Sequence, residues 1–339
     1  MSDIKVNSIT SSDSSVGPVV AGVSTVASTA FMIMPTGDTA TRGAGSGRMI
    51  MMGGFGYSPN NANQNQIQRL TISTLGNALD FGDMTTARYV AAQCASSTRG
   101  IAASGEATTI EYVTISSGGG GNDFGDTGKT NSSSVGLSDS TRGVFAGGYQ
   151  IAGVNAKTNL IEFITIASTG DTTDFGSLTE ASAHVGACAS PSRGIIFGGH
   201  TPTVVNTIQF ITISSTGDAQ DFGDLTVGSR QGAGLSNTTR GLHAGGIPST
   251  AGNVIAFITI ASTGNAQDFG DLTDGSGWIG SGASSTRGIF AGGYNASPNN
   301  KIDFVTIATT GNAQDFGDLL GPALYGVGGL TDVHGGLGD

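Results

Sequence analysis

The tripeptide Asp-Phe-Gly occurs six times, at Asp80, Asp123, Asp174, Asp221, Asp268 and Asp315. A unit that recurs every few tens of residues is one supersecondary element, and it buries its apolar face only by stacking on its neighbours. A β-branched stretch such as FITIASTG (163–170) precedes each copy. An Arg-Gly, a short apolar run and a Gly doublet follow, as in TRGIFAGG (286–293). The arginines are Arg99, Arg142, Arg193, Arg240 and Arg287. Arg48 opens the series in the weaker copy GRMIMMGG (47–54), and His334 stands where a seventh arginine would be.

The spacing divides each unit into strands. From each DFG aspartate to the next arginine position is 19 residues, and from the arginine to the second doublet position is 6. From the Thr of the TI dipeptide (Thr71, Thr114, Thr165, Thr212, Thr259, Thr306) to the DFG aspartate is 9. Length varies only between doublet and threonine, where the separations are 17, 9, 17, 13, 13 and 13. These differ by multiples of four, as expected of a β-hairpin that gains two residues on each strand while keeping its turn and its facing. Each unit therefore reads as four strands: a small-residue strand such as QGAGLSN (231–237), the run ending in GG, the β-branched strand and the DFG strand.

Four-stranded units of this length point to propeller blades. The last small-residue stretch, ALYGVGGL (323–330), has no further strands after it, and the first three-strand set, about 48–84, has no small-residue strand before it. Closing the ring solves both problems. The expectation is an all-β, six-bladed propeller at 46–339, closed by the C-terminal innermost strand, after an extended arm at 1–45.

Composition agrees. Glycine makes up 57 of 339 residues, and each interior glycine costs a helix about 1 kcal/mol relative to alanine. The net charge of −11 repels phosphate backbones, which argues against nucleic acid as a partner. Cys94 and Cys188 are too few for a disulfide framework or a zinc site, and they read as free thiols on inner strands. No secretory signal and no 18-residue apolar run is present, so membrane insertion is not expected.

The Gly doublet, the repeat length and closure by a C-terminal inner strand resemble kelch-type propellers, with Phe serving where kelch blades carry Tyr and Trp and with Ser104 replacing one doublet glycine. The WD40 signatures are missing. The pattern TRGhFxGG…ITIxSTGNAxDFGDLT and the lead segment DIKVNSIT…GPVVAGVSTV…MPTGDT (3–39) are similar to repeat proteins of marine tailed phages, cyanophages especially. That resemblance implies a non-enzymatic virion structural protein, a tail-fibre or appendage subunit that binds a host surface, a glycan for instance, or a neighbouring subunit. It implies an N-terminal arm that docks on other virion proteins, and assembly in the host cytoplasm. A capsid-decorating protein, a glycan-processing propeller enzyme and a cellular kelch-like scaffold are the alternatives.

Motifs with chemical overtones read as structure. A kinase needs DFG once, with H-R-D and a strand lysine; here it recurs, with Phe filling the inter-blade core, Gly permitting a bend and Asp capping a turn. Its spacing matches no EF-hand or RTX calcium loop. One arginine per blade reads as a structural pairing with aspartates or carbonyls. The histidines lack metal-ligand spacing, GAGSGR (43–48) has no strand before it and no helix after it, and a hydrolase would need paired carboxylates although Glu occurs only at 106, 111, 162 and 180. No catalytic, cofactor or metal residue is assigned.

Length variation marks one face, and loops on a rigid scaffold carry binding. Its tips include YSPNNANQNQ (57–66), YQIAGVNAKTN (149–159), HTPTVVN (200–206) and YNASPNN (294–300). Ten residues past each DFG aspartate lie Val90, Ser133, His184, Gln231, Trp278 and Tyr325, expected around a channel mouth, with Ala92, Val135, Gly186, Ala233, Gly280 and Val327 on the wall below. The candidate partner-binding residues are Tyr57, Asn60, Asn61, Tyr149, His200, Trp278, Tyr294 and Tyr325.

Overall fold

The computed structural model describes residues 24–25, 32–33, 47–56, 61–151, 156–247, 252–321 and 324–338. Within them the chain is all-β apart from one 3-10 turn, Gly335–Leu337, and its architecture is propeller-like. Five antiparallel sheets have four strands and a sixth has six, with two smaller pairings and a three-stranded sheet at the loops. Most of the expected arm lies outside the described residues; inside it, Ser24–Thr25 pairs with Met32–Ile33.

Strand order follows the spacing. The fourth sheet runs Gly186–Ala189, Arg193–Phe197, Thr207–Thr212, Gln220–Asp224. In the first sheet the small-residue strand comes from the far end of the chain: Gly328–Thr331 pairs antiparallel with Arg48–Met52, Met49 opposite Thr331. The small-residue strands of all six sheets abut in turn, and Gly328–Thr331 touches both Gly280–Ala283 of the sixth sheet and Ala92–Ala95 of the second.

Two features recur at every junction between sheets and a third at five of the six, Gly120 standing in the capping position at the remaining one. The DFG glycine sits at a β-bulge: Ile208 faces Gly223 while Gln209 faces Asp221, leaving Phe222 as the extra residue. Gly223 has φ +145, and a Cβ there would lie 2.5 Å from the carbonyl oxygen of Gly264 in the next sheet. Phe222 turns inward, is buried, and packs in a core shared by the fourth and fifth sheets with Phe197, Ile258 and Ile260. Burying one such ring is worth about 2 kcal/mol. The contact also links the ends of the series, since a Cβ on Gly317 would meet the Gly76 carbonyl of the first sheet at 2.6 Å.

The repeated arginine is the second feature. Arg240 stacks over Phe257, its guanidinium carbon 4.4 Å from the ring centroid, and Nη1 donates to the carbonyls of Ile307 and Ala308 in the following sheet. Arg99, Arg142 and Arg193 do the same one sheet on, to Ile166, Ile213 and Ile260. Arg48 donates to Ile115, and Arg287 of the sixth sheet donates to Ile72 of the first at 2.8 Å. The expected pairing is thus with carbonyls, which a planar cation resting on an aromatic face can reach in a fixed geometry.

The third feature corrects an expectation. The DFG aspartates cap nothing: all six are exposed. The capping group is the Asn or Asp of the STGN-type turn in the next sheet, whose side chain accepts the N–H after the DFG glycine, as Asn265 does for Asp224 at 3.0 Å and Asn77 for Asp318.

The Gly doublets serve the face where length varies. Gly198 and Gly199 have φ +56 and +111, and Gly199 N donates to the Ser229 carbonyl at 2.7 Å, so the run turns under the returning loop. In the second sheet the hairpin is four residues shorter than usual, and Ser104, Gly105 and Glu106 all take positive φ. The DFG strand there is lengthened to Asn122–Ser132, and it pairs with Tyr149–Gln150 of the next hairpin. The buried pair Arg88–Glu111, at 2.7 Å, lies at this irregular junction. Arg88 also donates to the Ser104 and Thr109 carbonyls, and Glu111 accepts from the N–H groups of Thr85 and Thr86.

Candidate binding face at the channel mouth

The six small-residue strands line one channel, whose mouth is a vestibule of about 680 Å³ open to solvent. Its rim is held by backbone. Trp278 N donates to Gln231 O, Gln231 N to His184 O and His184 N to Ser133 O; Val90 N donates to Gly326 O and Gly326 N to Trp278 O, at 2.7–3.0 Å. These residues must turn sharply to make the belt. Val90, Ser133, His184, Gln231 and Trp278 all have φ between +46 and +64, a region L-residues enter at a cost. In the last unit Gly326 (φ +65) takes this position, one residue beyond the expected Tyr325, and Tyr325 stacks instead.

On this rim stands a continuous crescent of rings. Tyr89 meets Phe55 at 5.8 Å between centroids, and Phe55 meets Tyr325 at 5.3 Å. Tyr325 meets both Tyr294 and Trp278, at 5.4 and 5.7 Å, and Trp278 meets Tyr294 at 6.0 Å. Trp278 then meets His184 at 6.5 Å, and His184 meets Tyr149 at 5.4 Å. The Tyr149 hydroxyl lies 3.5 Å from His200 Nδ1, and Lys157 sits over the Tyr149 ring. Every member is half-buried, fixed by its neighbours yet open on one side.

Of the candidate residues, Tyr149, His200, Trp278, Tyr294 and Tyr325 therefore come together. Asn61 is exposed, next to the small hairpin of Phe55–Gly56 with Ala62–Asn63. Tyr57 and Asn60 lie outside the described residues. Phe55 and Tyr89 were missed, although Phe55 shares the position seven residues past the repeated arginine with Tyr149, His200 and Tyr294. The long hairpin tips were expected to imply an external partner. Part of their length is used inside the chain, because Tyr149–Gln150 extends the second sheet and Phe55–Gly56 pairs with Leu324–Tyr325.

The wall also departs from expectation at one strand. Ala92 packs in the core between the second and third sheets with Phe145 and Ile164, and Gln93 lines the channel. Gln93 Nε2 donates to the Met52 carbonyl at 2.7 Å, and its Oε1 is buried without a partner, as is Gln231 Oε1. Repeat alignment holds the signal for Gln93: its column otherwise contains Gly136, Ala187, Gly234, Ser281 and Gly328.

Below Gln93 a second compartment of about 420 Å³ ends on His334. His334 is no seventh arginine. Its Nδ1 accepts from Gly336 N at 3.1 Å and caps the 3-10 turn, while Nε2 lies 3.0 Å from the Ala95 carbonyl and 3.2 Å from Ser138 Oγ. The turn Gly335–Leu337 abuts the inner strands of the third, fourth and fifth sheets, so the channel is stopped at this end.

Burial sets the charge states. Desolvation pushes the His184 imidazole down to about 4, helped by Arg230, His200 and Lys157 nearby. His200 is shifted down for the same reasons, and burial raises the Tyr89 phenol beside Glu106. Cys94 and Cys188 are buried free thiols in matching places, against Gly143 and Gly241, and burial pushes Cys188 up to about 12. Among the described residues, no Asp or Glu lines the channel and no three His, Cys, Asp or Glu side chains gather as a metal site requires. Comparison with models of known protein families finds none that matches, and comparison with curated proteins finds no match either.

Proposed function

We propose that the six sheets are the blades of a closed six-bladed, kelch-like propeller, and that the chain is a non-enzymatic virion structural protein of a tailed phage. In this reading it is a tail-fibre or appendage subunit that presents its channel mouth to a host surface or a neighbouring subunit. Closure is supported by the cyclic order of contacts, in which Arg287 reaches Ile72 and Gly328–Thr331 completes the first sheet. The virion setting is supported by the repeat pattern and the lead segment, with docking assigned to residues 1–45.

The observation that carries the binding role is the ring crescent. Half-buried Tyr and Trp offer large contact area at little further entropy cost, and such residues dominate interface energies. The opposite end of the channel is stopped by the chain's own C-terminal turn, which leaves the mouth as the open end.

The test is made in phage particles. The chain should be found in purified virions, and particles carrying Trp278→Ala at normal occupancy should lose adsorption or neighbour attachment by at least about tenfold, the effect of removing one aromatic anchor. Leu79→Ser, at an exposed edge position, should change neither. Absence of the chain from virions refutes the setting. Normal adsorption and assembly by the Trp278→Ala particles refute the mouth as the binding face.

A further inference from the structure

Resting on the mouth as the binding face, the vestibule's own chemistry narrows what enters it. Two of the buried polar atoms without partners are carboxamide oxygens of residues that line the vestibule. These residues, Gln231 and Gln93, are only 7% and 6% exposed, and each has an enclosed Oε1 without a partner. The Gln93 bond to Met52 identifies its amide nitrogen and so its oxygen. A carbonyl oxygen buried without a donor is a destabilising loss, which a ligand hydroxyl recovers by donating to it. Ser134 Oγ, also unpartnered, lies on the same wall.

Three further features restrict the ligand. Trp278, at the junction of the crescent, gives a flat apolar face beside these acceptors. Among the described residues, no Lys, Arg, Asp or Glu lines the vestibule, so neither an anion nor a cation finds a counter-ion there. The C-terminal turn at the far end of the channel prevents a polymer from threading through.

We propose that the mouth is a binding site for the terminal, uncharged pyranose of a glycan, with the sugar ring stacked on Trp278 and its hydroxyls donating to Gln231 Oε1 and Gln93 Oε1. The stacking surface supplies affinity, and the buried carboxamides supply selectivity for a hydroxyl-bearing ring over an apolar one.

Trp278 is the chain's single tryptophan, so its fluorescence reports on this site without a label. The full-length protein is titrated with methyl glycosides of glucose, galactose, mannose and N-acetylglucosamine, with choline and glucuronate as charged comparators. At least one neutral glycoside should give a saturable change with a Kd of about 1 mM, typical of one sugar unit at about −4 kcal/mol. Gln231→Met, isosteric but without the acceptor, should weaken it at least tenfold. The monodeoxy analogues of the binding glycoside, tested on the unaltered protein, should include one that binds at least tenfold more weakly. The proposal is overturned if no neutral glycoside saturates, if choline or glucuronate binds and the neutral glycosides do not, or if every deoxy analogue binds as well as its parent. Should the sugars fail while Trp278→Ala still abolishes adsorption, the mouth is an interface for another partner and only the sugar assignment falls.

Discussion

His243 offers a test of how tightly the sheets pack. It lies on the arginine strand of the fifth sheet, 4% exposed, with its ring 5.4 Å from Phe197 and its Nε2 without a partner. A Cβ on Gly232 would come within 2.5 Å of the ring, so the inner strand lies directly against it. Desolvation takes the imidazole from 6.5 down to about 4. At about 1.4 kcal/mol per pH unit, that shift represents up to about 3 kcal/mol. Between pH 6.5 and about 4 the unfolded imidazole is protonated while the folded one is not, so the unfolded state binds more protons and stability falls as pH falls. The same repeat position holds Phe145 and Phe290, so His243→Phe keeps the packing and removes the titration. Urea unfolding of both proteins at pH 7 and pH 4.5 should show the original chain losing roughly 2–3 kcal/mol more than the variant over that interval. His184, His200 and His334 are shifted the same way and are present in both proteins, so the difference isolates His243. Parallel pH profiles would refute the reasoning, because they would mean that His243 protonates in the folded state as easily as in the unfolded one.

Two further substitutions probe the junctions. Gly223→Ala places a methyl 2.5 Å from the Gly264 carbonyl, whereas Gly264→Ala, at φ +156, meets nothing within 4 Å; urea midpoints should show the first costing at least about 2 kcal/mol more than the second, whose penalty is backbone strain alone. Glu111→Ala strands the fully buried Arg88 and two backbone N–H groups, and should cost about 3–5 kcal/mol by thermal or chemical unfolding.

The repeat made the fold legible because spacing is a strong constraint: three fixed distances of 19, 6 and 9 residues, each repeated six times, leave one place for each strand, and a missing first inner strand leaves one place for 328–331. The arginines were legible only as structural, since their acceptors are main-chain carbonyls about 67 residues on, which no side-chain pattern encodes. The DFG aspartates misled because acidic residues after a turn resemble caps, while the actual caps come from the following unit. At the mouth, Trp278 and Tyr294 could be placed by column, and so could Phe55, which shares the column of Tyr294; Tyr89 is the one ring in its column and joins the crescent only through tertiary packing. Gln93 was hidden by a register that sends Ala92, and not its neighbour, into the core.

Closure of the ring by the last strand is the premise for everything at the mouth, and one cross-link tests it. Met49 and Thr331 face each other across the first sheet, with Cβ atoms in range of a disulfide for directly opposed residues. In a Cys94→Ala, Cys188→Ala background, Met49→Cys with Thr331→Cys should oxidise within the monomer under native conditions. The cross-link should also raise stability by roughly 5 kcal/mol, the chain-entropy value for so long a loop. If the pair stays reduced in the folded protein, or links only between chains, the C-terminal strand does not complete the first sheet and the closed propeller is wrong.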